Sequence, residues 1–146
     1  MSDVLSSEDI FKRVRKTVAE ALYIDEGDID LEKRLMPDLG AEWVDLLDLA
    51  FCLQREFGCN VPHDHLFIKV THEMVDANGL LTESGIELIY ERIPGTNFAH
   101  LMLEPGGRME DLQTVAMLCR YFRSKFPEPD EASARADGDR VLRGEG

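Results

Sequence analysis

Apolar residues recur at helical spacing in several stretches of the chain and lose that period between them. In the first stretch Ile10, Val14, Val18 and Ala21, joined by Phe11 and Leu22, predict one apolar face of a helix. Ser6 and Asp9 stand just before it with the spacing of a capping box. Lys12, Arg13, Arg15 and Lys16 then fall on its solvated side. The next stretch, YIDEGDIDLEKRLMP, is rich in Asp and has no helical period. It reads as a long loop whose Ile24, Ile29, Leu31 and Leu35 dip into the core, with Pro37 and Gly40 marking its end.

A second helix is expected from about Trp43 to Phe57, closed by Gly58 as its C-cap. Leu46, Leu49, Ala50, Leu53 and Phe57 share one side at spacings of three and four. Val44, Leu47 and Phe51 form a second apolar stripe, and Asp45, Asp48 and Arg55 take what remains. A helix apolar over so much of its circumference must bury most of it or offer part of it to a partner. Glu42 and Asp45 are well placed against the positive end of its dipole.

NVPHDHLF predicts a short third helix with Pro62 at its first position. Between about Ile68 and Arg108 the pattern is less regular. It contains an Asn-Gly turn, room for a short strand, and a helix from about Glu83 to Arg92 stopped by Pro94 and Gly95. A last helix is expected from about Glu110 to Phe126, with Leu112, Val115, Ala116, Cys119 and Phe122 inside. Beyond Pro127 the tail has few apolar residues and is expected to be mobile. The domain is therefore placed at 1–126 and the polar tail at 127–146.

Composition narrows the function classes. The chain has 146 residues, 44% apolar and 31% charged, as befits one modest globular domain. Its formal net charge of −13 argues against binding nucleic acid or an anionic membrane surface, and fits equally partners with basic patches or a charge that only aids solubility. No apolar run approaches the roughly 18–20 residues that span a bilayer. No basic-then-apolar leader opens the chain, so a cytoplasmic location is the default expectation. Cys52, Cys59 and Cys119 form no close pair and read as free thiols of the interior. His63 and His65 flank Asp64, but i and i+2 positions on a helix point apart, and no metal site is expected. There is no glycine-rich phosphate loop and no catalytic constellation.

Spacing alone would say only that this is a small helical bundle. Three features carry more. An acid-rich loop ends in Asp38-Leu39-Gly40-Ala41, a helix with an acidic stripe follows, and it closes in REFGCNVP, Arg55 to Pro62. Together they resemble the acyl carrier protein family over about Ile10 to Leu66, and again in the last helix. The resemblance implies a mainly α fold: an acyl-carrier-protein-like four-helix bundle, here with an inserted segment at about 68–108 between the third and last helices. That segment is expected to hold a short helix and a small β element, and to cover the bundle. The resemblance further implies a carrier and not an enzyme, serving fatty-acid or polyketide-like biosynthesis. In the family a phosphopantetheinyl transferase attaches 4'-phosphopantetheine to a serine at the start of the second helix. The arm then holds acyl chains as thioesters. Acidic and apolar residues of that helix dock on basic patches of synthases, reductases and transferases; here they would be Asp38, Glu42, Val44, Asp45, Leu47, Asp48 and Phe51. A monomer suffices for this.

The serine position of that motif falls on Trp43. Indole has an N–H donor and no nucleophilic oxygen, so the phosphodiester has nothing to form on. The nearest serine or threonine downstream is Thr71. Either tryptophan has been put in place of a serine, or the chain works by docking alone as a non-carrier interaction module, or the likeness is one of structure only. Tryptophan buries its ring when it can and keeps its N–H near a partner. The indole is therefore expected to fold at least partly inward beside Val44 and Leu47, where it would plug the entrance for an acyl chain.

Overall fold

The computed structural model describes residues 5–127. The tail expected to be mobile lies, from residue 128 on, outside the described residues. Among the described residues six α-helices follow one another: α1 (Ser7–Leu22), α2 (Trp43–Phe57), α3 (His63–Leu66), α4 (Glu83–Arg92), α5 (Met109–Leu112) and α6 (Val115–Lys125). Single 3₁₀ turns lie at Glu26–Asp28 and His72–Met74. Among the described residues β structure is limited to two isolated antiparallel bridges, Val75 with Leu81 and Arg34 with Thr114.

Local chemistry sets the helix ends. The Ser6 hydroxyl accepts the Asp9 N–H at 3.0 Å, and the Asp9 carboxylate faces the Ser6 N–H, closing the box predicted for α1. α2 begins where the Asp45 carboxylate accepts the Glu42 N–H at 2.8 Å. It ends where Gly58 turns left-handed at φ 67°, a conformation glycine adopts without steric cost. Thr82 and Thr114 cap α4 and α6 through their hydroxyls.

The bundle is built on α1, which packs against both α2 and α6. Ile10, Val14 and Val18 of α1 and Leu46, Leu49 and Leu53 of α2 are all buried in one core. The Phe57 and Phe122 rings stack at 3.9 Å between centroids and tie the end of α2 to α6. The basic residues of α1 lie largely on its outer side, where Arg13 and Lys16 both approach Glu56.

Three expectations need correction. The last helix is two helices: α5 ends at Leu112, and α6 starts at Val115. The break exists because the loop before α2 bonds there. The Leu35 N–H donates to the Gln113 carbonyl at 3.0 Å, and the Val115 and Ala116 N–H groups donate to Lys33 and Leu31. With those groups engaged across the chain, Thr114 caps a fresh helix. The buried face of α6 becomes Val115, Met117, Leu118, Tyr121 and Phe122, while Ala116 and Cys119 are only half-buried. The same bonding reverses Leu31, whose backbone turns inward and whose side chain is 44% exposed. Pro62 precedes α3 instead of opening it, because it stays extended at ψ 130°.

Between α3 and α5 the chain folds back onto the bundle. Asn78 and Gly79 make the expected turn, closed by the Asp76 N–H donating to the Leu80 carbonyl at 2.8 Å. α4 lies against the His72–Met74 turn through Gly85, where even a Cβ would come within 2.0 Å of the Met74 carbonyl oxygen. Leu81, Ile89, Phe98 and Leu101 are buried with the helices of the bundle in one core.

Candidate functional site

The start of α2 is held by the loop that precedes it, and that loop is clamped by one arginine. Arg34 donates from Nε and Nη2 to the two Asp38 oxygens at 3.0 and 3.1 Å, and its backbone N–H donates to the same carboxylate at 2.8 Å. Its Nη1 reaches the Asp111 carboxylate of α5 at 2.6 Å. The guanidinium fork holds the Asp38 carboxyl well below the usual range, at about 2. From this clamp the chain passes Gly40, at φ 78°, and the buried Ala41, whose N–H donates to the Leu35 carbonyl at 3.0 Å. Position 43 is thus delivered at a fixed place, the first residue of α2.

Trp43 is half-buried there and packs against the core. Its ring stands between two cavities. One, of about 320 Å³, is lined by Met36, Ile68, Val70 and Met109 with Lys69 and Arg108. The other, of about 290 Å³, is lined by Phe67, Ile68, Met74, Ile89 and Ile93. The Lys69 ammonium sits 5.8 Å from the centre of the indole. The ring has turned inward, on the side of Ile68 and Lys69. No serine or threonine occurs from residue 18 to residue 70, so nothing near the helix start offers an aliphatic hydroxyl in place of the indole.

The expected docking residues are spread along α2 and its approach. Val44 is 64% and Phe51 54% exposed, Leu47 is half-buried between them, and the Arg55 guanidinium lies 5.5 Å from the Phe51 ring. Glu42 and Asp48 are exposed, and Asp45 is partly engaged in its bond to the Glu42 N–H. Asp38 lies at the rim of this surface, committed to Arg34. The second apolar stripe is therefore the part of α2 that the described residues leave uncovered. His63 faces the cavity beside Trp43, whereas His65 lines a different one.

Four residues that the pattern did not single out hold the site together. Arg34 is the clamp just described, and Lys69 covers the indole. Gln113 is buried, and its Oε1 accepts the Ile68 N–H at 3.0 Å, joining the stretch after α3 to the α5–α6 break. His100, 7% exposed, places Nε2 3.2 Å from the Leu66 carbonyl at the end of α3, and burial pushes its pKa down to about 4. Burial also raises the three thiols, Cys119 to about 11, which leaves them protonated and poor nucleophiles.

The helical bundle, with its helix start after an acidic loop and Gly40, fits the class the sequence resembles, the acyl carriers. Comparison with known proteins agrees: residues 12–76 match the family described as phosphopantetheine attachment site. An acyl carrier protein of Thermotoga maritima is 41% identical over 56 residues, which cover 38% of this chain and 69% of that protein. The chain belongs to the acyl carrier protein family. Its members are carriers and not enzymes. No solved structure matches it. Among the described residues no helix is long and apolar enough to cross a membrane.

Proposed function

We propose that this chain serves acyl-thioester biosynthesis of the fatty-acid or polyketide kind by docking onto acyl-processing enzymes through α2, and that with Trp43 in place it takes no 4'-phosphopantetheine arm. The observation that carries the reading is Trp43 itself, a half-buried indole on the first residue of α2 in a stretch without serine or threonine. With a serine at 43 the same scaffold is a carrier that shuttles thioester-bound acyl intermediates. With tryptophan it is an interaction module, whose ring closes the way between the two neighbouring cavities that an acyl chain would use.

The docking surface comprises Glu42, Val44, Asp45, Leu47, Asp48 and Phe51, with Asp38 at its rim. Exposed apolar side chains beside carboxylates suit brief association with basic patches on a phosphopantetheinyl transferase, synthases, reductases and other transferases. The working unit is residues 1–126, with 68–108 as its insertion, acting as a cytoplasmic monomer. Intact-mass measurement after incubation with coenzyme A and a broad phosphopantetheinyl transferase tests the reading. The chain is expected to keep its mass and the Trp43→Ser variant to gain one phosphopantetheinyl group. A gain by the unaltered chain would refute the first half of the proposal, and failure of the variant to gain it the second.

A further inference from the structure

On the face formed by α6 and the residues before it, a cavity of about 390 Å³ is lined by His65, Asn97, His100, Arg120, Tyr121 and Lys125, among others. It shares no lining residue with the cavities beside Trp43. Among the described residues its wall holds no carboxylate, in a chain of net charge −13. The ion pairs among the described residues involve neither Arg120 nor Lys125. We propose that this cavity is an anion site that takes the phosphate group of a phosphomonoester.

Arg120 is aimed by its backbone partner. Its Nε donates to the His100 carbonyl at 3.0 Å, which fixes the guanidinium plane. Among the described residues no partner takes the terminal N–H groups of the fork, and two such parallel donors match a phosphoryl or carboxylate edge. Lys125 lies about one and a half turns further along α6, its ammonium 5.2 Å from the Tyr121 ring centre. The ring of Tyr121 in turn meets the His100 imidazole edge to face at 5.0 Å, so the two aromatic groups brace the wall. Asn97 spends its carbonyl oxygen on the Ala99 N–H at 2.8 Å, which orients its amide and leaves the NH₂ as donor. Ser124 is already spent, since its hydroxyl donates to the Tyr121 carbonyl at 2.7 Å.

Two fixed positive charges choose between anions. A carboxylate satisfies one of them. A phosphomonoester near neutral pH carries close to two negative charges and three acceptor oxygens, enough for the guanidinium fork, the ammonium and the Asn97 amide together. The cavity is larger than a bare phosphate needs, which leaves room for the group to which the phosphate is bonded.

The test is a titration of the full chain, ¹⁵N-labelled, with glycerol phosphate and with inorganic phosphate, against sodium chloride at matched ionic strength. Amide shifts confined to Asn97–His100 and Arg120–Lys125 and absent with chloride are expected. Lys125→Gln, at an exposed position, is expected to weaken binding about ten-fold, the loss of one charge-assisted contact. Arg120→Gln is expected to weaken it at least as much, and should it misfold, Lys125→Gln alone decides. Vesicles of phosphatidylcholine with and without phosphatidic acid separate the sources: capture only by phosphatidic acid assigns the phosphate to a lipid headgroup, and the soluble arm assigns it to a free metabolite. Absence of binding in both arms, equal shifts with chloride, or an unchanged affinity in Lys125→Gln would overturn the proposal.

Discussion

Arg34 and Asp38 form a two-pronged ion pair, with Nε and Nη2 3.0 and 3.1 Å from the two oxygens of one carboxylate. The pair keeps Asp38 ionised in the folded protein down to about pH 2, against an ordinary value of 3.8. Its contribution to stability is therefore present above the ordinary value and is lost as pH falls from there through about 2. Carbon-detected NMR titration should place the Asp38 midpoint near 2, and Asp38→Asn should speed exchange of the Gly40 and Ala41 amides. A midpoint near 3.8 would mean the clamp is open in solution.

Trp43 is the chain's one tryptophan, so its fluorescence reports position 43 without labelling. A half-buried ring with Lys69 over it should emit to the blue of a hydrated indole and be partly shielded from acrylamide. Lys69→Met should shift the emission without unfolding the protein. Emission and quenching like those of free tryptophan would place the ring outside.

Gly85 gives a prediction of unusual sign. Replacing a helical glycine by alanine ordinarily stabilises a helix by about 1 kcal/mol. Here the new methyl would meet the Met74 carbonyl oxygen at 2.0 Å. Gly85→Ala should instead destabilise by about 1–3 kcal/mol, through forced separation of α4 from the His72–Met74 turn. Urea unfolding measures it, and an unchanged midpoint would show that α4 does not lie where it is described.

His100 has a folded pKa near 4 against 6.5 for the ordinary imidazole. The unfolded chain takes up the proton first as pH falls. Stability tied to the neutral ring is whole above about 6.5 and drains by about 1.4 kcal/mol per pH unit toward 4. Thermal melts at pH 7 and pH 4.5 should differ less in His100→Leu than in the parent, whatever the variant's absolute stability. Equal differences would remove His100 from the acid response.

Asp48 is exposed on α2 next to the apolar side chains left uncovered. Asp48→Lys should weaken binding to a docking enzyme and reduce the salt dependence of what remains, with little change in melting temperature. Undiminished affinity for such a partner would take Asp48 out of the docking surface.

Much of this could be seen in the sequence where local chemistry decides. α2 runs from Trp43 to Phe57 and α4 from Glu83 to Arg92 as the pattern predicts, because Gly58, Thr82 and Pro94 punctuate them within a few residues. The split of the last helix was hidden because neither Gln113 nor Thr114 breaks a helix by itself. What breaks it is a set of bonds to Leu31, Lys33 and Leu35, some eighty residues earlier in the chain. His100 was equally hidden, since the run around it, Phe98 to Leu103, has neither a helical nor an alternating period to place it inside. The cavities escape any one-dimensional reading, because their walls come from segments that meet only after folding.

The stitching of Leu31, Lys33 and Leu35 to residues 113–116 also bears on anyone who would cut this protein down to the stretch its relatives share. A fragment ending at residue 76 would carry the family's motif with three backbone groups of the leading loop stripped of their mates, and Arg34 without Asp111. Such a minimal piece would have to be re-engineered along that seam, because the loop that delivers position 43 leans on a stretch of chain about eighty residues further on.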